Sequence, residues 1–481
     1  MILFIIILVI IFIIAISCFV YIYLAYKSEC ELGENEKCKT CNNKNYCDSC
    51  NPGYKLNNGK CILNYSFMAS YQTTSPNQSV KLFGDFKILS DEMTIDGEKV
   101  DFCTTYTFKS PGNHKVLVLV DLSKTLSLKS MFSKAEITSI IFTEKFNTET
   151  ITDMNSMFRY CEKLTSIELS NFNKKSVEDL GYMFSECYSL KSLDLSNFNT
   201  DNVIYMNYLF NSTYALTSLD ISNFNTKNVI SMKAMFKECR SLNLIDVTHF
   251  DTSKVTEMMD MFINCLRITS IDLSNFNTQN VEYMNRMFKN CTSLISIDLT
   301  SFDTGKVKEI NSFFYNCTSL ISADLSSFKT RNLTDISYMF KNCFSLTSID
   351  LSSFDTENVI NMTQTFYHCH LIKSIDLSNF NTKTLELASS MFEGCQSLSS
   401  IDLSSCVNSN IKKMNNIFKE CPSLEYIDIS SFQWDDSLID SLPFFYQGSG
   451  KLIINRNFSS YINMTIGTEW TNWTNWTIII K

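Results

Sequence analysis

Apolar side chains recur with a single period over most of the chain. Phe132, Phe158, Phe184, Phe210, Phe236, Phe262, Phe288, Phe314, Phe340, Phe366, Phe392 and Phe418 follow one another at 26-residue intervals without a slip. Cysteine keeps the same step at Cys161, Cys187, Cys239, Cys265, Cys291, Cys317, Cys343, Cys369, Cys395 and Cys421, with Thr213 in the one gap. A fixed period of this size is the mark of a repeat architecture in which each unit buries its apolar face against the next. Within a unit, Leu190, Leu193 and Leu195 flank Asp194 in an alternation that sends apolar groups inward and the carboxylate outward, as a strand does. An Asn-Phe-Asn-Thr turn follows, whose Thr is of the type that caps a helix. Val229, Met232, Met235 and Phe236 then fall at i, i+3, i+6 and i+7, the spacing of a short amphipathic helix of about ten residues. The pattern therefore predicts an α/β solenoid with one short strand and one short helix per coil, spanning residues 128–432.

The unit Met-Phe-x-x-Cys-x-Ser-Leu-x-Ser-Ile-Asp-Leu-Ser-x-Phe-x-Thr-x-x-Val-x-x-Met resembles that of BspA-like leucine-rich-repeat surface proteins of the 26-residue type. The resemblance implies a microbial cell-surface protein with adhesion as its usual role, and implies no particular ligand.

Outside the array the pattern changes. Residues 1–26 carry no charged side chain and are long enough, at about 1.5 Å per helical residue, to cross a hydrocarbon core of about 30 Å. They read as an uncleaved transmembrane signal anchor, with Ala15-Ile16-Ser17 as the competing cleavage site. Residues 27–61 hold Cys30, Cys38, Cys41, Cys47, Cys50 and Cys61. So short a segment cannot bury a core, and disulfides are the usual remedy; zinc fits less well, because only five residues separate the two CxxC pairs. Six cysteines allow 15 pairings, among which spacing does not choose. The run from Cys47 to Cys61 resembles furin-like and EGF-like modules and implies a stalk. Residues 62–127 read as a β-rich N-terminal cap and residues 433–481 as a C-terminal cap. Eleven Asn-X-Ser/Thr sequons, among them Asn64, Asn77, Asn211, Asn316, Asn361, Asn457, Asn463, Asn472 and Asn475, suggest a glycoprotein.

Net charge of −9 and the lack of any basic cluster argue against nucleic acid. Catalytic constellations are missing: the histidines number four (His114, His249, His368, His370) and no nucleophile elbow or phosphate loop occurs. The candidate chemistry is repetitive. Asp194, Asp220, Asp246, Asp272, Asp298, Asp324, Asp350, Asp376, Asp402 and Asp428 form one column on the strand face, led by Glu168 and flanked by hydroxyls such as Ser192 and Ser196. Such a column reads first as a hydrogen-bonded ladder and second as a ligand face that takes Ca²⁺ or a cationic group. The cysteine column reads as buried free thiols. Variation from coil to coil sits after the Thr turn (Asp201, Lys227, Ser253, Gln279, Gly305, Arg331, Glu357, Lys383) and at the outer helix positions, which are solvated faces and contact surfaces. Trp470, Trp473 and Trp476 read as cap packing, with an aromatic strip for glycans as the rival.

These features together predict a non-enzymatic, cell-surface, single-pass membrane protein with its C-terminal region outside. It would bind an extracellular protein or glycan, and attach to the membrane through residues 1–26. A self-associating coat protein is the alternative, and a sensor ectodomain a third reading.

Overall fold

A computed structural model describes residues 38–43, 46–50, 54–57, 60–63, 65–84, 90–169, 172, 176–407, 410–432, 449–454 and 476–481, with backbone alone at 38–43, 46–49, 54–57, 60–63, 90 and 91. Two small antiparallel hairpins come first: β1 (Cys38–Asn43) with β2 (Tyr46–Cys50), and β3 (Tyr54–Asn57) with β4 (Lys60–Leu63). Next come β5 (Phe67–Thr73), β6 (Gln78–Lys81), β7 (Ser90–Ile95), β8 (Glu98–Val100), β9 (Thr105–Phe108) and β10 (Gly112–Val120). Of these, β5 lies antiparallel to β11 (Ile137–Phe142), the strand of the first coil, and β11 in turn pairs in parallel with β12 (Ser166–Glu168) of the second. Phe67 on β5 packs edge-on against Phe132 at 5.2 Å, so the first ring of the core meets a cap rather than water.

Strand pairing recurs along the array, at β13 (Ser296–Asp298) with β14 (Ser322–Asp324) and β15 (Ser400–Asp402) with β16 (Tyr426–Asp428), each in parallel and in register. The stack runs on past Phe432. β16 pairs with β17 (Gly450–Ile454), and β17 with β18 (Trp476–Ile480), both in parallel, and Leu452, Ile454 and Trp476 join the continuous core.

The expectation of one helix per coil is overturned, because the described residues contain no helix and form a β-solenoid instead. The reason lies in the backbone. Over Leu128–Ala135, the N–H groups of Leu128, Ser130, Phe132 and Lys134 donate to the carbonyls of Asp153, Asn155, Met157 and Arg159 in the next coil. Between them, Met131, Ser133 and Ala135 donate three residues back, closing overlapping turns. A helix would spend all these donors within its own segment. It would also force neighbouring coils roughly 8–10 Å apart on that side. Here the ring centroids of Phe132, Phe158 and Phe184 stack at 5.3 and 5.8 Å, near the strand spacing of about 4.8 Å. The turns still point Leu, Met and Phe inward at helix-like intervals, which is why the sequence pattern mimics a helix.

The turns require left-handed backbone at two positions per coil. One column runs through Ser130, Ser156, Tyr182 and Tyr208, and the other through Lys134, Tyr160, Glu186 and Ser212, all with φ between 58° and 65°. Only in one coil does the second column hold glycine, Gly394 (φ 77°), where a Cβ would meet the ring of His368. The Thr of each coil is not a helix cap either. Thr278 and Thr304 are buried, and their hydroxyls donate to the carbonyls of Asp303 and Lys329 in the following coil, at 2.9 and 3.0 Å.

The expected membrane topology and cell-surface location are also corrected: among the described residues no helix is long and apolar enough to cross a membrane. Most apolar residues of the described chain line the solenoid interior. The anchor itself, residues 1–26, lies outside the described residues.

Asn342 sits in the left-handed column at φ 61°. Replacing it by Val should cost about 1–2 kcal/mol, and replacing it by Gly should be close to neutral. In a helix the order would reverse, with Gly the worse of the two. Denaturant melts of the two variants decide between the geometries.

Candidate interaction faces

The strand face is the uniform one. Its aspartates stand exposed at the strand ends, and each turns back on its own coil. Asp272 Oδ1 accepts from the N–H of Ser274 at 2.9 Å, and Asp298 from the N–H and hydroxyl of Thr300 at 2.9 and 2.7 Å. These local bonds settle the electrostatics. The backbone N–H two residues on holds Asp194, Asp220, Asp272, Asp298, Asp350 and Asp376 below the usual carboxylate range, and at Asp246 the Thr248 hydroxyl leads. Repulsion from Asp246 and Asp298 pushes Asp272 the other way and loses. Asp324 and Asp402 take the same bond from Ser326 and Ser404. Asp428 differs: it is buried and meets Lys481 Nζ at 2.6 Å. Burial works to raise its carboxyl, and the bonds from Lys481 and Ser430 outweigh that. Among the described residues no three acidic, His or Cys side chains come together as a metal-holding group.

The cysteine column is a ladder of free, buried thiols. Each thiol donates to the carbonyl of a core Phe in the preceding coil, as Cys161 does to Phe132 at 3.0 Å and Cys291 to Phe262 at 3.1 Å. Burial pushes the thiols of Cys239, Cys291 and Cys421 up to about 12. Of the six candidate disulfide cysteines, Cys50 is disulfide-bonded. The side chains of Cys30, Cys38, Cys41, Cys47 and Cys61 lie outside the described residues.

Several sequence candidates turn out to be ladder rungs. Asn211 donates to Ser185, Asn316 to Asn290 and Asn361 to Asp335, each in the preceding coil, so these sequon amides are already engaged in the stack. Asn77 is exposed, whereas Asn64, Asn457, Asn463, Asn472 and Asn475 lie outside the described residues. His249 reaches the carbonyl of Ile221 at 2.9 Å, as Asn223 reaches that of Leu195. His114 is buried in the cap between Thr73 and Asp96, at 2.9 and 2.7 Å. His370 stacks on Phe344 at 4.8 Å beside His368, and burial, then His368, lowers its pKa. Trp476 is buried, and Trp470 and Trp473 lie outside the described residues.

The turn face, where helices were expected, varies from coil to coil and carries the aromatic and cationic groups. Tyr182 stacks on Tyr208 at 4.5 Å and Tyr188 on Tyr214 at 4.8 Å. The Arg159 guanidinium lies 4.8 Å from the ring of Tyr160 and 4.5 Å from that of Tyr182. Arg240 lies 4.4 Å from Tyr214 and pairs with Glu238. Sequence reasoning placed contact surfaces after the Thr turn, at named residues from Asp201 to Lys383, and on outer helix positions without naming residues there. The available signal was which columns change: Ser156 gives way to Tyr182, while Asp272 repeats as Asp298.

Two outcomes follow from these ladders. Asn in place of Asp272 keeps the acceptor of the strand-end turn and Ala removes it, so D272A should melt below D272N at neutral pH. The carboxyl is held low in the folded state, so its contribution is present above the ordinary value of about 4 and is lost as pH falls below it. Wild type should therefore lose stability relative to D272N as pH falls through that range in calorimetry. The thiols run the opposite way. Their folded values are raised, so their contribution is complete below the ordinary value of about 8.5 and drains away as pH rises beyond it. A thiol reagent at neutral pH should label the ladder cysteines only after denaturant is added, as read by peptide mass spectrometry. Rapid labelling of the native chain would contradict the buried ladder.

With the geometry in view, comparison with known proteins adds the following. No curated protein matches the chain. Among solved structures, a TLR13–ssRNA13 complex is similar at 15% identity and TM-score 0.24, over 68% of this chain and 49% of that one. The chain thus spans about half the length of that protein. An LRR protein of Leptospira interrogans is similar at 10% identity and TM-score 0.22, over 68% of this chain and 90% of that one. A family profile described as "Mycoplasma protein of unknown function, DUF285" matches residues 126–244, 231–349, 312–432 and 341–460, overlapping stretches that together cover well over half of the sequence. The chain belongs to this DUF285 family.

Proposed function

We propose that this protein is a non-enzymatic binding protein with an adhesion-type role, holding an extended protein or glycan partner through the turn face of its solenoid. The observation that carries the reading is the division of labour between faces. The strand face repeats Ser and Asp from coil to coil, whereas the turn face changes and concentrates Tyr and Arg, the residue types that dominate binding hot spots. Stacked rings such as Tyr182 and Tyr208 are already ordered, so little side-chain freedom remains to be lost on binding. A rigid array of such patches suits many weak contacts that add together. The resemblance of the repeat to BspA-like surface proteins supports the same role. The aspartate column keeps its place as a secondary candidate for cationic groups.

Self-association is the competing reading, favoured by exposed apolar residues on the strand side, Leu244 at 66% and Ile295 and Ile321 at 47% each.

Substitutions borrowed from the array's own columns test the proposal without foreign residues. Ser occupies the column of Tyr182 and Tyr208 at Ser156, and the column of Arg159 at Ser133. The triple variant R159S/Y182S/Y208S should fold with nearly unchanged Tm. It should lose tenfold or more in the attachment of beads bearing the full chain to cell layers or matrix. Undiminished attachment would remove the turn face from the function. Concentration-dependent assembly in sedimentation, with no attachment, would favour the self-associating reading.

A further inference from the structure

Charges on this solenoid follow a rule set by the stacking. A cation generally meets a carboxylate in the same column of an adjacent coil, 26 residues away. Lys308 pairs with Glu282 at 2.6 Å, Lys329 with Asp303 at 2.8 Å, Lys412 with Glu386 at 2.7 Å and Arg286 with Asp260 at 2.7 Å. On the turn face several half-buried lysines depart from it, Lys289 and Lys341 among them. Lys289 and Lys341 share one column, which reads Lys289, Tyr315, Lys341, Tyr367 over four consecutive coils. Their in-column neighbours are rings and, for Lys289, Ile263. Lys289 Nζ lies 4.5 Å from the centre of Tyr315, and Lys341 Nζ lies 5.7 Å from Tyr315, 5.4 Å from Tyr338 and 4.5 Å from Tyr367. Lys341 also donates to Gln364 Oε1 at 2.5 Å. The nearest acid in the column, Glu393, is engaged by Lys419 at 2.9 Å. Among the described lysines these are the two whose pKa is lowered, in both cases chiefly by burial. Partly desolvated ammoniums without an anionic partner are costly to the protein alone, and an anion at the surface would offset that cost.

We propose that the Lys289–Tyr315–Lys341–Tyr367 column is a binding site for an anionic polysaccharide, one bearing carboxylate or sulfate groups. The two ammoniums stand two coils apart, about 10 Å along the axis at the strand spacing, so a polymer with an acidic group at about that interval meets both. Between and beside them are donors that suit a hydroxyl-rich chain: phenols on Tyr315, Tyr338 and Tyr367. A peptide bound by strand addition would need a free strand edge. Here the backbone groups of the turns are spent on the next coil, as Asn316 N–H is on Lys341. The assignment names a partner for the turn face and so rests on the binding function proposed above.

Dextran sulfate and uncharged dextran, identical but for the charge, are the probes, and the full chain is the protein. The overall charge of −9 opposes polyanion binding, so retention reports a local site. The wild type should bind dextran sulfate and not dextran in titration calorimetry at physiological salt. K289Q/K341Q should weaken binding more than tenfold with unchanged Tm. K308Q/K412Q, which removes the same charge from exposed paired sites, should change it less than twofold. Failure of the wild type to bind, equal loss in both double variants, or equally tight binding of poly-glutamate would each overturn the assignment. Arg159, Tyr182 and Tyr208 lie several coils away. If R159S/Y182S/Y208S abolishes attachment while wild type ignores dextran sulfate, this site falls and the binding function stands.

Discussion

The structure depends on a backbone hydrogen bond from each coil to the next, repeated along the turns and joined by strand pairing in part of the array. Strand residues pair at a 26-residue offset, as Ser296 does with Ser322, and turn residues donate at a 25-residue offset, as Phe132 does to Met157. A further seam of single bridges runs from Ser127 through Asp153 and Asp179 to Lys413. With the turns tied coil to coil by the same kind of bond, the coils share one spacing, and side chains stand over their counterparts. That register is the cause of most other features. Phe stacks on Phe with planes within a few degrees, as between Phe236 and Phe262 at 2°. Buried Thr and Cys find the neighbouring coil's carbonyls, and Asn finds Asn.

Register has a cost wherever like groups repel. The aspartate column is the clearest case, and the local N–H bond at each strand end is what makes it tolerable. Cations are handled by alternation with carboxylates. Where alternation fails, rings take the place of carboxylates, and the ammonium is left partly dehydrated. Stacking geometry thus converts a one-residue difference between coils into a local electrostatic feature, without disturbing the core behind it.

The period, the inward positions and the free-thiol ladder were legible in the sequence, because they depend only on which residues are apolar and how often they recur. The helix was misread for a definite reason. Val229, Met232, Met235 and Phe236 point inward from successive turns at spacings that a helix would also produce, and glycine marks the left-handed positions only at Gly394. Ser130, Tyr182 and Asp260 adopt them instead, because the bonds to the next coil over-determine the backbone. The Thr turn was misread similarly, since a cap and a cross-coil rung call for the same hydroxyl. The aspartates were found where expected, on the strand face. The Tyr and Arg clusters were not, because their neighbours in space are 26 residues away and became visible only once the columns were aligned side by side.

The same one-dimensional logic explains why substitutions within the core remain local. Thr213 replaces a ladder cysteine, and its hydroxyl bonds back to Phe210 in its own coil at 2.9 Å, while Cys239 of the next coil still reaches Phe210. At Cys406 a small side chain stands where other coils place Phe380 or Phe432. The space left is an apolar cavity of about 30 Å³ bordered by Phe380, Met391, Cys406 and Phe432. At roughly 24 cal/mol per Å³ such a void costs under about 1 kcal/mol. Each coil touches only its two neighbours, so that loss is confined to one junction and the rest of the stack does not feel it. An array built this way can change its outer columns coil by coil and remain folded, which is the condition a variable binding face requires.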